Sequence, residues 1–255
     1  MRFRDLLTPT SRLRYLAWRA MPWPRSITVK FANGQYTILP SHEFLDLGTV
    51  YEVFIAEDYR SPRRLGGSVL RIVDVGANVG HSVVYWARHY PDARIEAIEP
   101  HPRHAQLLGK VVKLNRLGDR VTIHMVAAGT RDGPGFLTDD TTASALHYSA
   151  GEGTIEIPVI DFFPRWGNAP IDLLKLDCEG AELGLIMDPR FAELNVRALV
   201  VEWHETPQAP RARERIVDRL RELGWQVEIG RENGAPAASR NGQLLATGLI
   251  WGYRS

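Results

Sequence analysis

The chain has 255 residues, 44% of them hydrophobic and 24% charged, enough length and apolar content for a large buried core and against wholesale disorder. A formal net charge of +1 gives no overall field to draw in nucleic acid. Cys178 is the single cysteine, so an intrachain disulfide and a paired-cysteine zinc site are both excluded, and a reducing, cytoplasmic setting is expected.

Residues 1–25 set Arg2, Arg4, Arg12, Arg14, Arg19 and Arg25 against the single acid Asp5, with Leu6, Leu7, Leu13, Leu16 and Trp18 interleaved. Such a stretch suits either an amphipathic helix on a membrane or partner surface or a cap helix packed on the main domain, and the cap is expected. It lacks the uninterrupted apolar run of a signal peptide, and no later stretch is long enough to span a bilayer. Ser26–Phe31 and Gln35–Leu39 flank Asn33-Gly34, a hairpin signal whose turn suits positive φ. Residues 1–42 thus read as a helix-and-hairpin appendage to a catalytic domain over 43–255. That domain opens with a helical pattern over 43–58, where Leu47, Val50, Val53 and Phe54 share a face.

From residue 69 the pattern alternates. Val69–Val75, Arg94–Ile98 and Val121–Val126 read as strands; Val79, Val83 and Ala87, then Leu107 to Leu114, read as the helices between them. Residues 129–153 read as loop with room for a hairpin, and Thr154–Ile160 as an extra strand. Ile171–Leu176 and Arg197–Val201 follow as the fourth and fifth strands, then a helix through Ile216 and Leu220 that Gly224 ends. Trp225–Ile229 and Leu244–Trp251 complete the sheet around a solvent-facing loop at 230–242. Strands alternating with helices imply an α/β fold, a parallel sheet covered on both faces.

Asp74-Val75-Gly76-Ala77-Asn78-Val79-Gly80 follows a strand and opens a helix, where glycines allow close backbone approach and free N–H groups point at a ligand. Glu99 ends the next strand, where a carboxylate can hold a ribose diol. A dinucleotide fingerprint would need glycine where Asn78 and His81 stand, which counts against NAD and FAD. S-adenosylmethionine carries no phosphate and tolerates Gly-x-Asn-x-Gly. Asp74 sits where an acid can face its ammonium through backbone or water.

A second constellation closes the fourth and fifth strands: Lys175-Leu176-Asp177-Cys178-Glu179-Gly180-Ala181-Glu182 and Val201-Glu202-Trp203-His204-Glu205. If the fourth strand persists, Asp177 and Glu179 point the same way, as do Glu202 and His204. A hydroxyl acceptor must lose a proton, and His204 is the natural base; Asp177 can bind an ammonium or the acceptor, or act as base itself. Lys175 reads as the partner of a nearby carboxylate, Glu182 as a solvated helix residue and Cys178 as a small buried spacer. Asp177, Glu179 and His204 are also plausible divalent-metal ligands, but the spacing demands no metal and none is expected.

Taken together, Asp74–Gly80, Glu99-Pro100, Lys175–Glu182 and Val201–Glu205 resemble the FkbM family of methyltransferases. Ile157–Phe163, with Pro158 and Asp161, resembles the stretch before that family's fourth strand, and Thr142-Ala143-Ser144 a small-residue segment after its third. The resemblance spans about residues 45–205. It implies a Rossmann-like class I methyltransferase fold, a seven-stranded, mostly parallel sheet with its last strand antiparallel and helices on both faces. It implies S-adenosylmethionine as cofactor and O-methylation of a small molecule, sugar, glycan or natural product. Carried over by position, Asp74, Gly76, Ala77, Asn78, Gly80, Glu99, Ala127 and Asp177 hold the cofactor, with Val126-Ala127-Ala128 beside the adenine. Asp177 and Glu179 line the site, and His204 faces the acceptor. Two alternatives stay open: N-methylation of an amine, which needs less of a base, and a binding module that kept the fold without activity.

Overall fold

The computed structural model describes residues 3–20, 27–39, 47–138, 146–147, 154–207, 209–234 and 246–254. A 3-10 turn (Phe3–Leu6) leads into α1 (Pro9–Ala20), which lies on the hairpin of β1 (Ile27–Lys30) and β2 (Tyr36–Leu39). Of the two hairpin turn residues only Gly34 takes positive φ, at 93°. Asn33 works through its side chain instead, its Oδ1 accepting the Gln35 N–H at 3.0 Å. Helix α1 buries Ser11, Tyr15 and Trp18 and leaves Leu13 and Leu16 outside. Helix α2 (Leu47–Tyr51) then runs into a π-helical turn (Glu52–Ala56).

The alternating part follows: β3 (Arg71–Val75), α3 (His81–His89), β4 (Arg94–Ile98), α4 (Pro102–Leu114) and β5 (Val121–His124). Next come β6 (Ala127–Gly129), β7 (Gly133–Thr138), β8 (Leu146–His147), β9 (Thr154–Asp161) and α5 (Phe162–Trp166). The chain closes with β10 (Ile171–Leu176), α6 (Glu182–Met187), β11 (Val196–Glu205), α7 (Ala212–Glu222), β12 (Gln226–Gly234) and β13 (Ala246–Tyr253).

Seven strands form one sheet in the order β12-β13-β11-β10-β3-β4-β5. The five from β11 to β5 pair in parallel, and β13 runs antiparallel to both its neighbours. Because both faces are covered, the central strands are apolar almost throughout. On one face Val73, Leu174, Leu176 and Val201 pack against α5, α6 and α7. On the other, Ile72, Leu173 and Val200 pack with Trp86 and Leu108 of α3 and α4. The chain winds outward from β3 to β5 and returns at β10 on the opposite side of β3. That reversal leaves a crevice beyond the carboxyl ends of β3 and β10, the place where open α/β sheets hold ligands.

Several boundaries differ from the pattern-based expectation. The strand expected over Val121–Val126 stops at His124, and Ala127–Gly129 leaves to pair with β9 in a separate four-stranded sheet. The stretch expected over 129–153 as loop with room for a hairpin holds an antiparallel β7–β8 pair, Phe136↔His147 and Leu137↔Leu146, and β7 also runs antiparallel to β9 from Gly133↔Val159 to Thr138↔Thr154. The expected loop at 230–242 is strand as far as Gly234, past a bulge between Ile229 and Glu232. Thr142-Ala143-Ser144, residues 43–46 and residues 235–245 lie outside the described residues.

Candidate active site

The loop after β3 is shaped by close packing. Gly76 (φ 80°) lies so near β10 that a Cβ would sit 1.6 Å from the Asp177 carbonyl oxygen. A Cβ on Gly80 (φ 94°) would meet the Leu108 side chain at 2.7 Å. Between them Asn78 takes φ 49°, a left-handed conformation that asparagine tolerates better than most residues. The Gly76 and Ala77 N–H groups both donate to Ile98 O, at 2.9 and 3.0 Å, tying the loop to the end of β4. There Glu99 is buried, its Oε2 accepting the Asn78 N–H and its Oε1 the His101 N–H, each at 2.8 Å.

Gly76, Asn78, Glu99, Ala127, Asp177 and Glu179 line one cleft, closed on its apolar side by Ile98, Ala128 and Leu137. Among the described residues no lysine or arginine lines it. Ala77 and Gly80, also expected to hold the cofactor, are not among the lining residues: Ala77 is buried and Gly80 packs against Leu108. A larger cavity beside Tyr59, Arg63 and His89 contains none of the strand-end residues.

Asp74 differs from expectation: rather than facing a ligand, it is fully buried, its Oδ1 3.2 Å from Lys175 Nζ. The reason is the lysine. Lys175 sits in an otherwise apolar strand, 1% exposed, and a buried ammonium needs carboxylates around it. Asp177 Oδ2 lies 3.1 Å away on its other side, and Nζ donates to Gly76 O at 2.9 Å and Val75 O at 3.3 Å. Burial alone would lower the lysine's pKa, but the charges of Asp177 and Asp74 outweigh it and hold the ammonium above its ordinary range. Lys175 therefore clamps both strand ends beneath the loop. The signal for this was a lone lysine in Ile-Asp-Leu-Leu-Lys-Leu followed directly by an acid.

Strand β10 ends at Leu176, so Asp177 and Glu179 do not share a strand face; Glu179 enters a left-handed turn (φ 53°). That turn carries Glu179 Oε2 to 3.5 Å from Nε2 of His204. His204, expected to face the acceptor itself, is 5% exposed and stands behind Glu179. Glu182, expected in solvent, is buried: its carboxylate accepts the Cys178 and Gly180 N–H groups at 2.5 and 2.9 Å and the His204 Nδ1–H at 3.2 Å. It folds the turn and orients the imidazole together.

Burial would lower the His204 pKa, but Glu179 and Glu182 on its two nitrogens raise it well above 6.5, so the ring is an imidazolium at neutral pH. Burial pushes Glu179 up to about 7, the His204 charge working against the shift and Asp177 adding to it. Burial and then Asp177 raise Glu202 to about 8, and its Oε1 accepts from Thr247 Oγ1 at 3.4 Å. Burial and Glu182 push the Cys178 thiol up, away from any thiolate chemistry. One ligand-type atom from each of Asp177, Glu179 and His204 lies within 4.8 Å of the others, a spacing that could admit a divalent cation. The buried His204–Glu182 pair orients the imidazole by itself.

The strand order β5-β4-β3-β10-β11-β13-β12, with β13 alone antiparallel and the cleft at the switch point between β3 and β10, defines a class I methyltransferase fold. Solved structures of similar fold include TYW2 of P. horikoshii in complex with MeSAdo (16% identity, 92% of this chain and 74% of that chain, TM-score 0.52). TYW2 of M. jannaschii in complex with AdoMet is another (14% identity, 92% and 89%, TM-score 0.50). The chain belongs to the FkbM methyltransferase family: the Methyltransferase FkbM domain profile matches residues 74–227. It is also similar to methyltransferase sdnD of Sordaria araneosa, 29% identical over 204 residues, 65% of this chain and 77% of that protein.

Proposed function

We propose that this chain transfers the methyl group of S-adenosylmethionine to a hydroxyl oxygen of a small molecule, sugar, glycan or natural product. The observation that carries the reading is Glu179 on the cleft wall, backed by buried His204 and Glu182. This is a proton acceptor with a supported charge behind it, which a hydroxyl nucleophile requires.

The cleft's donor set fits that cofactor. The Glu99 oxygens, each fixed by one backbone N–H, keep lone pairs for a ribose diol. Asp177 suits the ammonium, and Ala127, Ala128 and Leu137 offer an apolar wall for the adenine. A pyrophosphate would find no cationic side chain among the described lining residues. When bound, S-adenosylmethionine would supply a sulfonium methyl to the acceptor oxygen, its S–CH3 bond breaking to release a neutral thioether. Glu179 takes the hydroxyl proton. His204 keeps the Glu179 carboxylate ionised near neutrality, and Glu182 holds the imidazole in place. Cytoplasmic action is part of the reading, resting on the single Cys178.

The test is calorimetry with S-adenosylmethionine, S-adenosylhomocysteine and NAD on wild type and Glu99→Ala. The first two should saturate, NAD should not bind, and the variant should lose about tenfold or more in affinity. A folded wild type that binds neither sulfur compound would leave only the inactive binding module. N-methylation would show itself as Glu179→Gln retaining near-normal turnover.

A further inference from the structure

Tyr59 precedes the stretch matched by the family profile and belongs to none of the motifs above. It is buried beside the strand ends, its ring centred 5.4 Å from that of Trp86 and 5.5 Å from Lys175 Nζ. Its hydroxyl donates to Asp177 Oδ2 at 3.3 Å, the same oxygen that Lys175 approaches at 3.1 Å. Both contacts from beneath the cleft thus fall on Oδ2, which leaves Oδ1 free of these two partners on a residue that lines the cleft.

The segment that delivers Tyr59 is itself pinned. Arg231 on β12 reaches Asp58 Oδ2 at 3.1 Å and Glu52 Oε1 at 3.2 Å. Burial, then the charges of Asp177, Glu202, Asp74 and Glu52, push the phenol well above 10, so Tyr59 stays a donor.

We propose that Tyr59 is a positioning residue, holding Asp177 by one oxygen so that the other receives the ammonium of the cofactor's amino-acid end. The inference rests on the function proposed above. Alone, Lys175 could hold Asp177 in more than one rotamer, being a point charge without directional preference. A phenol donor in a rigid aromatic pocket fixes a direction.

The test compares two ligands on each variant by calorimetry: S-adenosylhomocysteine, which carries the amino-acid end, and 5′-methylthioadenosine, which lacks it. Tyr59→Phe keeps the ring against Trp86 and below Lys175 and removes only the donor. It should weaken S-adenosylhomocysteine about tenfold and leave 5′-methylthioadenosine unchanged. Asp177→Asn should give the same selective loss, and adding Tyr59→Phe to it should cost nothing more. Both ligands meet the same sample, so their affinity ratio reads the effect even if the phenylalanine variant is partly unfolded. Equal weakening of both ligands, no change in either, or additive losses in the double variant would overturn the proposal. A folded wild type that fails to bind S-adenosylhomocysteine would sink the proposed function instead.

Discussion

Glu179, the proposed base, stands where the charges of the site converge. Its carboxylate is surrounded by Asp177, Glu182 and Glu202, by the imidazolium of His204 and by the Lys175 ammonium, and burial leaves it titrating near 7. A base works in its deprotonated form, so kcat/KM should rise with pH through about 7 and then level off. Glu179→Gln should lower kcat by roughly 10²–10³-fold with cofactor affinity preserved. The His204 charge lowers the Glu179 pKa, so His204→Ala should move the midpoint to higher pH. A pH-rate series on the three proteins checks this, and an unmoved midpoint in His204→Ala would remove the dyad from the mechanism.

At the scale of elements, α3 links the glycine loop to the N-terminal layer. Its first residue, His81, is buried edge-on against Phe54, their ring centroids 5.7 Å apart. Burial lowers its pKa to about 4, a hydrogen bond with the Ile38 backbone opposing the shift only in part. The unfolded chain therefore takes up this proton first, at about 6.5. The His81 contribution is full above pH 6.5 and is lost as pH falls toward 4, a difference of about 3 kcal/mol. Urea unfolding at pH 7 and pH 4 should show that loss in wild type relative to His81→Leu; equal pH sensitivity of the two would refute it.

The elements of the α/β part were legible because their apolar runs and 3.6-residue periods are local properties. Residues 121–129 are less so: one continuous stretch feeds two sheets, and the break after His124 depends on β9, which pairs with Ala127–Gly129 from some thirty residues further along. Gly76, Asn78 and Glu99 announced themselves by spacing. Glu182 and Tyr59 did not, because an acid at a helix start and a tyrosine in a loop are ordinary until tertiary packing buries them. Lys175 reads from the sequence as the partner of a nearby carboxylate, but that Asp74 is one such partner, beneath the cleft, depends on β10 packing beside β3 and has no local signal.

In the whole molecule the N-terminal layer shares its core with the sheet. Leu7, Tyr15, Trp18, Val29 and Phe31 form a cluster against which Phe54 packs, and Phe54 also packs on the cluster behind α3. Ile38 of β2 packs on Val84 and Val111, and Asn115 exchanges two 2.8 Å hydrogen bonds with the Tyr36 backbone. Removing residues 1–39 would open all of that apolar surface to water. Differential scanning calorimetry should show a single transition for the full chain and a Tm lower by about 10 °C or more for the truncated one. An unchanged Tm would mean that the layer is an independent appendage.

Lys175 and the backbone it grips at Val75 stand 100 residues apart in the chain. The clamp is therefore an event of late assembly, formed only when β10 docks beside β3. Until that moment a nascent chain carries the whole glycine loop and Glu99 yet owns no floor for its cleft. Cofactor capture then reports that the two halves of the sheet have met, and its binding energy is added only to chains that have folded through that step.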